Sequence, residues 1–377
     1  MTNPADQAEG TGLLLQELMA LAPALKARAE QVMTPLAGTR DELRQRLLDE
    51  GWILPVPNLP MERPDTMCAV DGARLTNKMS GADMMVAVAT CADGMFVARQ
   101  APTVSAVWAD IAPHASDLDK VAGTAMACLE LHVAAHVTHQ IRLLDGSFFT
   151  PVIEFSKGIA VGTAEVRNHV TDLMTERDAV ANLASILAFN PDRPVLALPK
   201  SETVTQYRDL FADMTGQPIT VTDRVLAAQL LDSGEILRPR PIHEWARTRI
   251  QAHSDAARRT RDLAAGLSEA LAPFQEAIAD RTALTCYFKP ARASQALRFE
   301  YQSSTPDGVD LALHYARLLS HETNTPHMME PTAQWAVDKK AKDISNGARA
   351  LRAALINQLD DTQARTWGRL IAEDYRT

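Results

Sequence analysis

The chain of 377 residues is 46% hydrophobic and 5% aromatic, and it carries a formal net charge of −9. This length and apolar fraction suit one large α/β domain with insertions or two modest domains, and they rule out a chain without a core. No apolar run approaches the ~18 residues of a membrane span, and no basic segment leads into an apolar stretch at the N-terminus, so we expect a cytoplasmic protein with no membrane contact.

In chain order, leucines at helical spacing (Leu13, Leu14, Leu18, Leu21, Leu25) and the charged run Arg40 to Leu48 predict an N-terminal helical segment over 1–54. Prolines between Pro55 and Pro64 stop it and lead into a strand at 66–71. Strands are expected next at 84–91 and 95–99, joined by a turn at Ala92-Asp93-Gly94, then a helix over 117–138 and a short strand from Ile141 to Asp145. The order is β-β-β-α-β. A helix at 171–188, a strand at 194–199, a helix at 202–214 and a short helix after Asp223 continue the alternation of an α/β fold and complete a first core part, 55–242. Residues 243–282 read as a helical insertion, and 283–377 as a second core part with strands at 284–289 and 297–301 and helices near 308–321 and 331–357.

Four cysteines, Cys68, Cys91, Cys128 and Cys286, lie far apart, three of them inside apolar runs. That suits small core residues in a reducing compartment, not a CxxC metal framework or a disulfide set. The acidic average hides a basic stretch, Arg238, Arg240, Arg247, Arg249, Arg258, Arg259 and Arg261, which could guide a phosphate backbone, dock a partner or line a solvated helix.

Two phrases end apolar runs on Asp-Gly: Cys68-Ala69-Val70-Asp71-Gly72 and Leu143-Leu144-Asp145-Gly146-Ser147. A strand-end aspartate followed by a glycine that lets the backbone turn away brings a carboxylate to the rim of a sheet. On the intervening helix, Met126, Val133, Ala134 and Val137 all fall within about 60° of Glu130, which places that carboxylate in the middle of the buried stripe. A buried carboxylate calls for a cation, an ion pair or a shifted pKa. A metal shared with Asp71 and Asp145 is one partner, and an arginine such as Arg99 is the alternative. His132, His136 and His139 fall near 200°, 240° and 180° on the same wheel, roughly opposite the stripe, and read as an exposed histidine face without metal.

A strand-end Asp, a helix Glu and a second strand-end Asp after β-β-β-α-β resembles the order of acidic ligands in the ribonuclease-H-like fold. In that fold two divalent ions serve phosphodiester hydrolysis, and hard oxygen ligands favour Mn2+ or Mg2+ over zinc. Val70-Asp71-Gly72, Leu129-Glu130-Leu131, Leu144-Asp145-Gly146-Ser147, Pro199-Lys200-Ser201, Thr222-Asp223-Arg224, Tyr287-Phe288-Lys289 and Arg298-Phe299-Glu300, in that order, make the chain resemble the NurA nuclease family over about 66–345. The resemblance implies a ribonuclease-H-like mixed sheet flanked by helices. It also implies a manganese-dependent DNA nuclease with single-strand endonuclease and 5′-to-3′ exonuclease activity, a homodimer, and a hexameric HerA-type translocase as partner. By the same resemblance, Asp71, Glu130 and Asp145 match the family's acidic ligands and Asp338 the fourth. Asp338 lies about 110° from the centre of its helix's apolar stripe and could equally be an aspartate paired with Lys342 at i+4.

Lys200, Lys289 and Arg298 are expected on one sheet edge, where they could hold the scissile phosphate, with Arg74, Arg298 and Tyr287 as DNA contacts. His321 and His327 could reach the same site. The chain has no GxxxxGK[ST] loop, so ATP hydrolysis would fall to the partner. The alternatives are a non-catalytic ribonuclease-H-like subunit that binds DNA or clamps a translocase, and a two-carboxylate glycosidase, which the scarcity of aromatics disfavours.

Overall fold

In the computed structural model the apolar runs assemble into one ten-stranded mixed sheet with helices on both faces. The structure describes residues 15–33, 40–58, 60–161, 163–200, 205–216, 218–242, 249–252, 254–290, 295–323, 330–359, 363 and 368. Leu13, Leu14, Ser201, Arg247 and His327 lie outside the described residues.

The N-terminal segment contributes helices α1 (Ala22–Met33) and α2 (Arg40–Asp49) and the short strand β1 (Ile53–Pro55). Strands β2 (Met67–Lys78), β3 (Asp83–Asp93) and β4 (Ser105–Ala112) follow as an antiparallel meander, then helix α3 (Leu118–His136) and strand β5 (Ile141–Asp145), which runs parallel to β2. Helices α4 (Thr150–Ile159), α5 (Ala164–Glu176) and α6 (Ala179–Leu187) lead to β6 (Val195–Leu198), parallel to β5. The meander, crossover helix and two parallel strands give the expected ribonuclease-H-like centre, β4-β3-β2-β5-β6. After helices α7 (Gln206–Thr215) and α8 (Asp223–Leu230), strands β7 (Glu235–Leu237), β8 (Arg240–Pro241), β9 (Ala283–Lys289) and β10 (Leu297–Gln302) extend that centre beyond β6. The sheet runs β1-β7-β9-β10-β6-β5-β2-β3-β4, with β8 paired to β9.

Two expectations are corrected. The apolar run 95–99 does not form a strand: the buried Glu322 carboxylate accepts the N–H groups of Met95 and Phe96, and Phe96 stacks on His321 with ring centroids 4.3 Å apart. The third strand is instead β4, an edge strand whose burial alternates along its length. The helix expected at 171–188 is two helices, because Asp178 adopts a left-handed conformation with φ of 50° between α5 and α6. Within 243–282, helices α9 (Arg258–Ala270) and α10 (Ala272–Ala279) bury Leu263, Leu267, Phe274 and Ile278 in the largest hydrophobic cluster of the described residues.

Pleat parity decides what reaches the centre. On β2, Cys68 and Val70 pack toward α3, whereas Ala69 and Ala73 pack on the opposite face, toward α12 (Thr332–Ser345) and α13 (Ala348–Asn357). Asp71 lies between Ala69 and Ala73, on the α12 face. On β5, Leu144 faces α3 and Leu143 faces α12, so Asp145 shares its face with Asp71. Helix α11 (Val309–Glu322) completes this second layer through Tyr315, Leu318 and Leu319. The segment 40–49 is tied down by Leu43 and Leu47 and by a bidentate Arg44–Glu235 pair with both distances 2.7 Å. The leucines of the first helical segment, Leu18, Leu21 and Leu25, are exposed. No described helix is long and apolar enough to cross a membrane.

Candidate metal centre

Strand β2 does not end at Asp71. It continues to Lys78, and Gly72 sits inside the ladder opposite Ala89. Its lack of a side chain serves close approach: a Cβ there would lie 2.6 Å from Glu130 Oε1, 2.7 Å from Met126 Cγ and 2.9 Å from the Val88 carbonyl. Gly146, by contrast, makes a true turn, with φ of +105° immediately after Asp145.

Among the described residues, the acidic group whose ligand oxygens all lie within 4.8 Å of one another is Asp71, Asp145 and Asp338. Two come from neighbouring parallel strands and the third from α12 above them. Asp338, the least certain ligand from the sequence, therefore joins the two strand aspartates, and it also accepts from Lys342 at 2.8 Å. Glu130 approaches from the other face of the sheet, over Gly72. It is not paired to Arg99, which binds Asp65 at 2.6 Å. Burial, followed by the charges of Asp71 and Asp145, pushes its carboxyl well above the usual range.

Asp71 is buried. Its Oδ1 accepts the Gly72 N–H at 2.8 Å, while its buried Oδ2 has no hydrogen-bond partner. Burial first, and the Asp145 charge second, push its pKa up to about 8. An unpartnered carboxylate oxygen facing two further carboxylates is a position that a hard divalent cation fits.

Asp145 is held on both oxygens. The Gln334 amide donates to Oδ1 at 2.8 Å, and the Lys200 ammonium lies 2.8 Å from Oδ2 and 3.0 Å from Glu330 Oε2. Burial acts to lower the Lys200 pKa but is outweighed by these two carboxylates, so the net shift is upward. Arg224 donates to the Pro199 carbonyl just before Lys200. Behind the Gly146 turn, buried Glu300 accepts from Ser147 Oγ at 2.9 Å, Phe148 N–H at 3.0 Å and Arg298 Nη2 at 2.6 Å. A cavity of about 390 Å3 beside the carboxylates is lined by Lys200, Arg224, Arg298, Glu330, Asp338 and Lys342 among others.

No protein-family model matches the chain, and no curated protein matches it by sequence. Solved structures do. The crystal structure of the NurA nuclease from Sulfolobus solfataricus superposes with a TM-score of 0.52 at 11% identity, covering 92% of this chain and 98% of that one. A structure of NurA bound to dAMP and manganese gives 0.53 at 10% identity, with 94% and 99% covered, and one of NurA with manganese gives 0.51 at 12%, with 92% and 99% covered. This chain has the NurA fold. The resemblance read from motif order is thereby borne out at the level of fold.

Within this NurA fold, three sequence expectations fail for identifiable reasons. Tyr287 is 1% exposed and packs edge-on against Tyr207, leaving no face for a base. Lys289 does lie on the same sheet edge, but β9 is three strands from β5, about 14 Å away at sheet spacing. Its ammonium donates to the carbonyls of Ala228 and Leu231 at the end of α8, at 2.9 and 3.0 Å. Arg298 lines the cavity, yet it is buried, with its guanidinium donating to Thr285 and Glu300; it braces the turn after Asp145 in place of meeting DNA from solvent.

Arg74 is exposed on the α3 face, donating to the Asp119 carbonyl at 2.8 Å and lying 3.8 Å from Glu154. The basic stretch is largely engaged locally: Arg238 with Asp307, Arg258 with Asp262, Arg259 with Asp172, and Arg240 and Arg261 with backbone carbonyls. His139 is fully buried beyond the end of α3, against Asp93 at 2.6 Å, so the three histidines do not form one exposed face. Gln334 and Glu330 escaped the sequence reading. Gln334 precedes Asp338 by four residues beside the apolar Ala333, so the reasoning that singled out Glu130 on its stripe would have found it.

Proposed function

We propose that this protein is a divalent-metal-dependent DNA nuclease. The observation that carries the reading is the convergence of Asp71, Asp145 and Asp338, together with an Asp71 Oδ2 that is buried without a partner. The structural neighbours support it, since one NurA was crystallised with dAMP and manganese.

In this reading Asp71, Asp145 and Asp338 hold the metal from the α12 side of the sheet, and Glu130 stands on the other side of the gap over Gly72, where a bound cation would favour its ionised form. Manganese or magnesium, when bound, would activate water and neutralise charge developing on the phosphodiester. The chain's own residues position the site. Gln334 fixes Asp145, the Glu300 network fixes the turn that carries it, and Arg224 fixes the backbone before Lys200. Lys200 and Lys342 place positive charge on the cavity beside the carboxylates, where a phosphate backbone would be attracted.

We further propose the finer activity of the family it resembles: single-strand endonuclease and 5′-to-3′ exonuclease cleavage with manganese in the cytoplasm. The protein would act as a homodimer fed by a hexameric HerA-type translocase, in DNA end processing or antiviral defence. The test is cleavage of end-labelled single- and double-stranded DNA with manganese, with magnesium and with chelator. Metal-dependent cleavage that Asp71→Ala abolishes without unfolding the protein is expected. DNA binding without cleavage under any metal would favour a non-catalytic subunit and overturn the assignment.

A further inference from the structure

Each oxygen of Asp145 already accepts a donor, Gln334 on Oδ1 and Lys200 on Oδ2; lone pairs remain for a cation, but a divalent ion on this carboxylate would share it with the Lys200 ammonium. The two donors differ in how firmly they are held. Gln334 is 2% exposed, and its amide is anchored among Asp145 and the sheet backbone. Lys200 has a side chain 42% exposed and already has a second acceptor, Glu330 Oε2, at 3.0 Å. The ammonium can therefore leave Asp145 by a small swing without losing its ion pair, whereas the amide has no comparable exchange. Two cations on one carboxylate oxygen repel each other, so occupation by a divalent ion drives this swing.

We infer that Lys200 is a tethered counter-cation that competes with the divalent ion for Asp145, and that Glu330 is the positioning residue that receives its ammonium when the ion binds. This inference rests on the proposed metal-dependent reading of the site. With the swing complete, the ammonium stays with Glu330 on the wall of the cavity that Arg224 and Lys342 also line. Lys342 also pairs with a member of the acidic group, Asp338, but through an i+4 contact with its own side chain 67% exposed, a kind of pair that contributes little. Lys200 is the larger barrier to the ion.

The signs of the consequences are opposite for the two partners. Removing Lys200 removes a competitor and tightens metal binding. Removing the Glu330 charge leaves the ammonium with Asp145 alone and weakens it. If the effect of Glu330 runs through Lys200, it shrinks once Lys200 is gone.

The test is a titration of the metal-free protein with manganese, read by the electron paramagnetic resonance signal of the free ion. It is run without DNA on wild type, Lys200→Met, Glu330→Gln and the double variant, with Lys200→Gln as a second replacement and circular dichroism to confirm the fold. We expect Lys200→Met to bind manganese about threefold or more tighter, and Glu330→Gln to bind it more weakly by a factor at least about threefold larger with Lys200 present than with Lys200→Met. Equal or weaker binding by both Lys200 variants, or the same Glu330→Gln factor in both backgrounds, would overturn the inference. Wild type that binds manganese while the cycle fails leaves the nuclease reading standing; wild type that binds none removes both.

Discussion

Replacing Gly72 with alanine tests the geometry at the heart of the site, because the same change usually helps a chain. Where the backbone is compatible and space is open, Gly→Ala gains about 0.4–1 kcal/mol by restricting the unfolded state. Here the new methyl would meet Glu130 Oε1 at 2.6 Å, Met126 Cγ at 2.7 Å and the Val88 carbonyl at 2.9 Å. Glu130 and Met126 are side chains that can turn aside. The Val88 carbonyl belongs to the paired strand and can yield only by bending the β2–β3 ladder, which pairs eleven residues from Cys68 to Lys78. Overpacking of this kind costs about 1–3 kcal/mol, so after the entropic gain the net loss should be about 1 kcal/mol. Urea unfolding of the metal-free protein measures it. Manganese binding should weaken at the same time, because α3 and Glu130 are pushed off the sheet. A variant as stable as wild type or more so would refute the close packing of α3 over Gly72.

Asp71→Asn should change how metal-free stability depends on pH. The Asp71 carboxyl is raised to about 8, so its protonated form favours the folded state; the contribution is complete below the unfolded pKa near 4 and is lost as pH rises through about 8. In chelator, the stability of Asp71→Asn relative to wild type should rise by about 3 kcal/mol between about pH 5 and pH 8, and a constant difference would contradict the burial and charge repulsion assigned to Asp71. Glu300→Gln breaks a buried pair with Arg298 and should lower stability by about 3 kcal/mol while weakening manganese binding through the Asp145 turn; unchanged thermal unfolding would remove that brace. Tyr287→Phe should leave the affinity for single-stranded DNA unchanged, whereas a loss of DNA binding in an intact fold would restore the stacking role.

Much of the arrangement was legible where one physical constraint dominated. The period of α3 placed Glu130 on a buried stripe, and the apolar runs at Ile141–Asp145, Ala283–Lys289 and Leu297–Gln302 became strands close to their expected bounds. Sequence could not say from which face each carboxylate would come. Strand β2 is buried on both sides over Met67–Asp71 and so lacks the alternation that reveals parity. That is why Glu130 was grouped with Asp71 and Asp145, while the oxygens drawn together belong to Asp71, Asp145 and Asp338. Helix α4 was missed because Phe148, Phe149 and Pro151 obscure its start, and Met95–Arg99 was read as a strand because an apolar run does not disclose that a distant carboxylate, Glu322, will take its N–H groups. Lys289 and Tyr287 show a similar limit: position on a sheet edge says nothing about which neighbour claims a side chain.

The most direct test of the metal centre is a crystal of the protein soaked in manganese, with the ion located by its anomalous scattering. The account predicts a peak within about 2.0–2.6 Å of carboxylate oxygens of Asp71, Asp145 and Asp338, with Lys200 moved toward Glu330. Manganese bound elsewhere, with Lys200 still on Asp145 and these three carboxylates unliganded, would contradict it.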